Sequence, residues 1–539
     1  YGSGGAQRWG FNVTRRIRRN NEESFWSPVA RQFNVFRLSS AGVLEGFDAP
    51  ARRTGTFTPY LLGSGRRVYA ANSSPEDDNN GDVGFDLKLV SAASLTLDLT
   101  YNTDFAQVEV DEQQLNLTRF SLFFPEKRPF FLENAGTFAV GSAQNNEIFF
   151  SRRIGLERGQ TVPILGGGRL TGKAGKFSMG ALNIQTDNQP SVGALSTNFT
   201  VLRVKRDILR RSAIGAIFTG RSVSTVGPGS NEVYGLDGTF AFYDNVNFNG
   251  YYARSQTPGL DGDDASYQGV FTYNGDLYAL QVDHLLVGDN FNPEVGFLPR
   301  RGIRLTKLHF ERDPRPDLLG IRVMQPMVNV VYITDQQNRL VSRRYHSMVG
   351  TAFDNGAYLN LWYNHNYERL DEPFIVRDGV AIAPGGYSFG EWQVSFNSNP
   401  SRKVYYQLNY SPQDFYDGTR TDTRVTLGAR MSSKLSAEAS YARNDIELPA
   451  ASFDVELASL RIDYALSPAM TLRAISQYNS STDQWSTSAR FRYTYMPGSD
   501  IYLVYDELRR DLDDPTGLGV LNEYRDRRLI LKVTHLLTR

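Results

Sequence analysis

Residues 102–160 are the most ionic and aromatic part of the sequence, and the run 123–133 within them, together with Arg152 and Arg153, could hold a ligand. Lys127 and Arg128 stand between the carboxylates of Glu126 and Glu133, with pairs of phenylalanines on both sides. Such a group could form a ligand site or gate, or a packed plug in which arginines and carboxylates neutralise each other. The sequence favours the plug, since the run contains no nucleophile with a neighbouring base.

Further ionic residues flank this run and complete the set that we predict to form the ion pairs of a plug or rim. The set consists of Asp104, Glu109, Asp111, Glu126, Lys127, Arg128, Glu133, Arg152 and Arg153. We predict no catalytic residue in this set, because it lacks an ordered acid, base and nucleophile.

Metal chemistry has only weak candidates in the sequence. Asp77, Asp78 and Asp82 could ligate calcium through carboxylate oxygens, which this ion prefers. Their spacing does not match an EF-hand loop, so a solvated acidic loop is the favoured interpretation. The five histidines lack the HExxH or paired spacing of a zinc site. We therefore expect no metal site and no cofactor.

The overall composition excludes several classes of protein. The chain has 539 residues, and 58 basic side chains balance 58 acidic ones, which argues against nucleic-acid binding. The lack of cysteine excludes disulfides, thiol catalysis and thiolate metal sites. No run approaches the roughly 20 apolar residues of a membrane-spanning helix. The sequence opens at Tyr1 without a signal peptide, and we expect a mature or trimmed chain.

The C-terminal two thirds of the sequence alternates apolar and polar residues with a period of two. In the segment 434–441 the apolar positions are Leu435, Ala437, Ala439 and Tyr441, and the residues between them are charged or hydroxylated. A period of two indicates strands with one apolar face. We expect that face to contact lipid, because transmembrane strands alternate between lipid and a polar lumen.

Turn signals separate the alternating segments with no helix between them. Asn274-Gly275 is the residue pair that favours a type I′ hairpin. Long connections at residues 223–232, 257–264, 367–386 and 511–524 alternate with short ones, as in outer-membrane barrels. We count about 21 strands from residue 161 onward. The sequence therefore predicts an all-β fold, a large closed antiparallel transmembrane β-barrel of about 24–26 strands with an N-terminal plug or rim segment.

The first 160 residues are less regular than the rest. We expect strands at 55–62, 83–90 and 94–101, separated by polar segments such as residues 73–80. The predicted organisation is a linker or junction at 1–53, the first barrel strands with the plug or rim motif at 54–160, and barrel hairpins at 161–539. The last strand, residues 527–537, should pair on both sides and close the barrel, because an unpaired edge would expose amides to lipid.

Several motifs carry a resemblance to a known family. They run from Tyr101 to Asp111, from Phe123 to Glu133 and from Phe149 to Gly155, with a further stretch from Trp9 to Pro28. In order and spacing they resemble a bacterial family in which a family-nine-like carbohydrate-binding module precedes a C-terminal barrel region, the domain of unknown function 5916. We expect the module itself to be absent from this chain. The resemblance implies an outer-membrane location in a Gram-negative-type bacterium.

Two functions from different classes fit these observations. The first is an outer-membrane β-barrel acting as a pore, a transport or secretion channel or a surface scaffold, with no chemistry of its own. The alternative is a secreted or membrane-associated β-rich glycan-active hydrolase, a label that the resembling family often carries. We favour the first, because no catalytic constellation accompanies the label. The expected partners are the outer-membrane lipid bilayer and other envelope proteins or polysaccharide, with no nucleic acid.

Overall fold

The computed structural model describes residues 7–17, 22–47, 54–69, 74–91, 94–103, 111–157, 160–512 and 522–539. Within these residues the chain forms one closed antiparallel barrel of 24 strands. The prediction of an all-β closed barrel of about 24–26 strands is confirmed. No helix among the described residues is long and apolar enough to cross a membrane.

The barrel strands are numbered in chain order. They are β1 Thr54–Tyr69, β2 Glu76–Val90, β3 Leu95–Thr103, β4 Ile164–Ala174, β5 Phe177–Thr186, β6 Asn198–Asp207, β7 Ala213–Arg221, β8 Asn231–Phe242, β9 Val246–Gln256, β10 Ala265–Asn274, β11 Tyr278–Val287, β12 Ile303–Arg312, β13 Ile321–Asp335, β14 Leu340–Phe353, β15 Tyr358–Leu370, β16 Gly385–Asn397, β17 Val404–Phe415, β18 Gly418–Arg430, β19 Leu435–Leu448, β20 Ala451–Ser467, β21 Met470–Asn479, β22 Gln484–Met496, β23 Ser499–Leu512 and β24 Asn522–Thr534.

Shorter elements accompany the 24 long strands. The short strands are Gln7–Phe11, Thr14–Ile17, Glu22–Phe25, Gly42–Phe47, Gly141–Ser142, Asn146–Glu147, Leu156–Glu157, Gln160–Thr161, Phe374–Arg377, Val380–Ile382 and Leu537–Thr538. One helical turn spans Pro129–Leu132, and 3₁₀ turns span Leu38–Ser40, Ala135–Thr137, Ser151–Arg153 and Pro190–Val192.

The last strand closes the barrel against the first, as the sequence predicted. β24 pairs with β23 on one edge, and on the other it pairs with β1 from Arg525 opposite Tyr69 to Thr534 opposite Tyr60. Leu537–Thr538 continues the pairing with β1. Closure leaves no row of unpaired amides facing lipid, which is the physical requirement for a sheet in a bilayer.

The alternation of side chains sorts the wall into a lipid face and a lumen face. On β24, Leu529 and Leu531 are half exposed on the outside, whereas Ile530 between them is buried inside. On β19, Tyr441 is exposed on the outside, and Ser440 lines a cavity on the inside. This is the orientation that the period-two pattern predicts for the apolar face.

The two ends of the barrel differ in the length of their connections. At one end the turns are short, for example residues 175–176 between β4 and β5 and residues 468–469 between β20 and β21. At the other end the connections include residues 288–302 and 371–384. Short turns are periplasmic and long loops external in bacterial barrels, so the start of β1 and the end of β24 lie at the periplasmic end.

Two local expectations differ from the structure. β1, β2 and β3 are longer than predicted, and residues 76–80 of the polar segment 73–80 belong to β2. The reason is that β1 and β2 remain paired beyond the part of the strands that carries apolar outward side chains. At the hairpin Asn274-Gly275, neither residue has positive φ, so the turn is not type I′.

Candidate functional site

The chain between β3 and β4 fills part of the lumen. We call its described residues, 111–157 and 160–163, the plug loop. Both flanking strands are joined to it at the external end of the barrel, since Thr103 and Ile164 are paired neighbours at that end. The plug is therefore an external loop folded inward and tethered at both ends, and not a free N-terminal segment.

One side of the plug loop packs against the wall in an apolar cluster. Phe131, Phe138, Val140, Ile148 and Ile154 are buried there against inward-facing residues of β4 to β9 and β11 to β13. Gly180 on β5 is needed at this contact, because a Cβ there would lie 2.7 Å from the Phe138 ring. Burial of this kind contributes about 25 cal/mol for each Å² of apolar surface removed from water. The plug loop is consequently packed against this side of the wall.

The predicted pair of Glu126 and Arg128 is buried at the centre of the plug loop. The Arg128 guanidinium donates Nε and Nη2 to the Glu126 carboxylate at 2.8 and 2.7 Å. It also donates to the carbonyl oxygens of Ser151 and Ile154, each at 2.7 Å. The Ser151 hydroxyl donates to Glu126 at 2.6 Å. One arginine thus joins two separate stretches of the loop.

A second ion cluster centres on Asp111. Lys127 Nζ lies 3.1 Å from its carboxylate, and the Arg152 guanidinium pairs with it through both Nη atoms. Arg152 also donates to the Pro125 carbonyl at 2.9 Å. Burial raises the pKa of Asp111, but hydrogen bonds from Arg152 and Lys127 outweigh it and hold that pKa below its ordinary value.

A third cluster connects the plug loop to the barrel wall. Glu133 pairs with Lys88 on β2 and lies 3.7 Å from Arg169 on β4. Arg169 is almost fully buried and also pairs with Asp98 on β3 at 2.7 Å, and it donates to the plug carbonyls of Phe130 and Glu133. A buried arginine with several acceptors is stable in this position because its charge is matched.

Arg153 is placed differently from the other predicted ions. Its Nε donates to the carbonyl of Gly296 at 3.0 Å, in the external connection 288–302. The same connection pairs with the plug through Glu147 and Phe297, whose backbone groups exchange hydrogen bonds at 2.9 Å. Burial lowers the pKa of Arg153. No motif in the sequence indicated that residues 288–302 would bind the plug loop.

The remaining candidates do not join these clusters. Asp104 and Glu109 lie outside the described residues. Asp77 forms a two-bond pair with Arg67 at 2.5 and 2.7 Å, and Asp82 accepts from Asn102 at 2.7 Å. Asp77, Asp78 and Asp82 belong to β2 and not to the solvated loop that we expected. In the part of the chain that the structure describes, no cluster of three acidic or histidine side chains is placed to hold a metal.

The opposite side of the lumen is open and polar. A cavity of about 740 Å³ lies between the plug residues 112–115 and the inner face of β16 to β21. Amides and hydroxyls predominate on its wall, namely Gln393, Gln407, Asn409, Ser411, Thr426, Ser440, Asn444, Ser459 and Gln477. Four of its six charged groups are paired, since Arg420 lies 2.6 Å from Asp422 and Arg461 pairs with Glu112, and the other two are Arg424 and Glu438. The cavity therefore offers mainly neutral hydrogen-bonding groups.

A second cavity of about 660 Å³ adjoins the first on the side of β22 to β24, β1 and β2. Both cavities are lined by Gln113, Ile475 and Gln477. Gln113 links plug to wall, because its backbone amide donates to Gln477 at 2.9 Å and its side chain donates to Ser486 at 3.0 Å. Sequence reasoning missed these lining residues, although they occupy the polar positions of the period-two pattern.

Comparison with known proteins finds similarity in one family and in solved barrels. Residues 51–164 match the family described as a domain of unknown function (DUF5916). No curated protein matches the chain. The siderophore receptor PirA from Pseudomonas aeruginosa is 10% identical, with a TM-score of 0.44, covering 92% of this chain and 82% of its own. OccAB3 from Acinetobacter baumannii is 9% identical, with a TM-score of 0.30, covering 90% and 99%.

These structural similarities are too distant to identify residues or a ligand, so the location follows from the architecture of this chain. A closed barrel has a continuous outward apolar face, here with half-exposed leucines at 503, 529 and 531. Only lipid satisfies that face, and closure satisfies the backbone. The chain is an outer-membrane β-barrel of a Gram-negative-type bacterium, embedded in the lipid bilayer.

Proposed function

We propose that this barrel is a channel for hydrophilic solutes, narrowed by its own plug loop and performing no chemistry. The observation that carries the proposal is the division of the lumen. The plug packs against the β4 to β13 side through an apolar cluster, whereas the β16 to β24 side keeps two adjoining polar cavities. The amides and hydroxyls that line such a passage can replace the hydrogen bonds that water makes with a polar solute. The transfer of the solute from water into the passage therefore costs little free energy.

The solute class follows from the lining. In the larger cavity Arg420 is paired with Asp422 and Arg461 with Glu112, so that neutral donors and acceptors form most of the surface that a solute meets. Hydroxyl-rich neutral molecules such as polyols and short glycans match such a surface, because each hydroxyl can both donate and accept a hydrogen bond. Polysaccharide and other envelope proteins remain proposed partners at the external surface.

Glu126 and Asp111 of the plug loop are ion-pair partners and are not suited to donate a proton near neutral pH. A glycosidase needs one carboxylic acid whose pKa is raised, so that it can donate a proton near neutral pH. In the plug loop burial raises the pKa of Glu147, but Glu126 and Asp111 have lowered pKa values, since hydrogen bonds from arginines outweigh the effect of their burial. Both side chains serve as ion-pair partners that fix the loop.

Substituted-cysteine labelling tests the proposal, because the native chain has no cysteine. We expect Ser440→Cys, in the polar cavity, to react with a charged thiol reagent and then to show reduced uptake of a neutral sugar into proteoliposomes. Val201→Cys is the matched control on the packed side, where the side chain is fully buried. Labelling of Val201→Cys with loss of uptake, and none at Ser440→Cys, would contradict the proposed path.

A further inference from the structure

A small recess lies inside the barrel on the side where the plug loop is packed. Its volume is about 170 Å³, and its wall is formed by β10 to β14, the connection 288–302 and Asn145 of the plug loop. It shares no lining residue with the two larger polar cavities. The charged side chains that line it are Asp283, Arg300, Lys307 and Arg344. Three cations therefore meet one carboxylate in this recess.

Lys307 and Arg344 lie on the lumen face of the wall, at the level where the apolar packing of the plug loop ends. One inward position closer to the external end, Leu305 and Ile333 pack in the apolar cluster with the plug. Lys307 is half-buried and Arg344 is exposed, so the recess opens into the lumen. Val331 pairs with both cations, one on each side. Their backbones are thus about 10 Å apart, since neighbouring strands are about 4.8 Å apart, and both long side chains can reach one anion between them.

The third cation, Arg300, enters the recess from the external connection 288–302. Its Nη1 donates to the Ser342 hydroxyl at 2.7 Å, and its guanidinium carbon lies 3.7 Å from the centre of the Phe120 ring. Its ion pair with Glu368 is long, at 4.0 Å, and the same carboxylate pairs with Arg119 at 2.9 Å. The neighbouring side chains therefore fix the position of Arg300 but match its charge only in part.

The cations of the recess are close enough to repel each other. Burial lowers the pKa of Arg300 to about 10, and the positive charges of Arg119 and Arg344 also lower it, against the opposite effect of Glu368. Among the described side chains, no carboxylate forms an ion pair with Lys307 or Arg344. The lining residues and the partners of Arg300 together comprise four cations and two carboxylates, namely Arg119, Arg300, Lys307 and Arg344 with Asp283 and Glu368. These described groups have an excess of two positive charges.

We propose that the recess binds one phosphate group, with Arg300, Lys307 and Arg344 as its donors. A phosphate monoester carries a charge of about −1.5 to −2 near neutral pH, which matches the positive excess. Arginine donates to phosphate oxygens in pairs, and lysine contributes a point charge. Binding also stabilises partly buried cations that the protein leaves without an ion-pair partner. The site goes beyond the proposed channel for neutral solutes and does not depend on it.

The test is a calorimetric titration of the detergent-purified full chain in chloride buffer. The probes are inorganic phosphate, a sugar phosphate and the same sugar without phosphate. Lys307→Gln and Arg344→Gln should each weaken phosphate binding by roughly 10- to 100-fold, the loss expected for one hydrogen bond to a charged group. Arg424→Gln is the matched control and should bind phosphate as the native chain does, because Arg424 lines the larger cavity on the other side of the lumen.

Each arm of the test either supports or overturns the proposal. Binding of inorganic phosphate alone identifies the free ion as the ligand, and binding of the sugar phosphate identifies a phosphorylated solute. Binding of neither, equal binding of the unphosphorylated sugar, or equal loss of affinity in Arg424→Gln and Arg344→Gln would overturn the site. Uptake of neutral sugar should be unchanged in Arg344→Gln, so a failure of this site is distinguishable from a failure of the channel. A gel migration that changes on boiling confirms that each variant is folded.

Discussion

Replacing Arg128 by alanine should release the plug loop while leaving the barrel wall intact. The substitution removes two hydrogen bonds to Glu126 and two to the carbonyls of Ser151 and Ile154. It also removes the guanidinium that stacks 4.2 Å from the Phe131 ring centre. The Glu126 carboxylate then stays buried without a counter-charge, and two carbonyl oxygens lose their donors.

The size of the effect follows from the burial of the pair. Arg128 is only 8% exposed, so solvent cannot replace the lost contacts. Removing one partner of a buried ion pair costs about 3 to 5 kcal/mol. Since a tenfold change corresponds to about 1.4 kcal/mol, the opening of the loop should become roughly 150- to 5000-fold more frequent. The double variant Glu126→Gln/Arg128→Met should cost less than Arg128→Ala, because it leaves no uncompensated charge.

Hydrogen–deuterium exchange of residues 123–154 measures this opening directly. Protection should fall by that factor in Arg128→Ala, while β19 and β24 keep native protection. Lys127→Met is the matched control, since Lys127 is partly exposed and its pair with Asp111 spans 3.1 Å. Exposed pairs contribute only about 0 to 1 kcal/mol. Equal protection in Arg128→Ala and Lys127→Met would refute the claim that the buried pair fixes the loop.

Three further outcomes are expected. The pKa of Glu126 in the folded protein lies below its ordinary value of 4.5, so the ion pair of Glu126 with Arg128 stabilises the plug loop fully at pH values above 4.5. Hydrogen exchange of residues 123–154 should therefore increase as the pH falls through the lowered pKa. Ala437→Arg on the lipid face should cost roughly 2 to 4 kcal/mol and abolish heat-modifiable gel migration, whereas Ser436→Arg on the lumen face should not. Gly180→Val should displace the Phe138 ring and raise plug exchange without loss of the barrel, as a shift in peptide protection would show.

The barrel could be predicted from the sequence because each strand carries its own evidence. At residues 435–441 the alternation alone fixes which side chains contact lipid, and the structure has the same faces. Closure by residues 527–537 followed from the cost of an unpaired edge in lipid, and β24 is paired on both sides. Both predictions use only the alternation within one strand and the cost of an unpaired strand edge. They therefore require no knowledge of contacts between residues that are far apart in the chain.

The placement of the plug could not be predicted in the same way. The ionic set reads as one group in the sequence, but the structure separates it into three clusters with different partners, and Arg169 and Gly296 lie far from it along the chain. Those partners depend on which wall strands surround the loop. The residues near the loop in a single sequence do not indicate which strands these are. The roles of the nine ion-pair candidates and the division at residues 53 and 160 stay predictions.

The most direct test of the channel is the conductance of a barrel without its plug loop. Thr103 and Ile164 are paired neighbours, so a short Gly-Ser turn can join β3 to β4 in place of residues 104–163. In planar bilayers we expect small, steady conductance from the native chain and a several-fold larger one from the shortened chain, because a barrel of this width is open when empty. Equal conductance from both chains, or none from the shortened barrel, would contradict the account of a loop-narrowed pore.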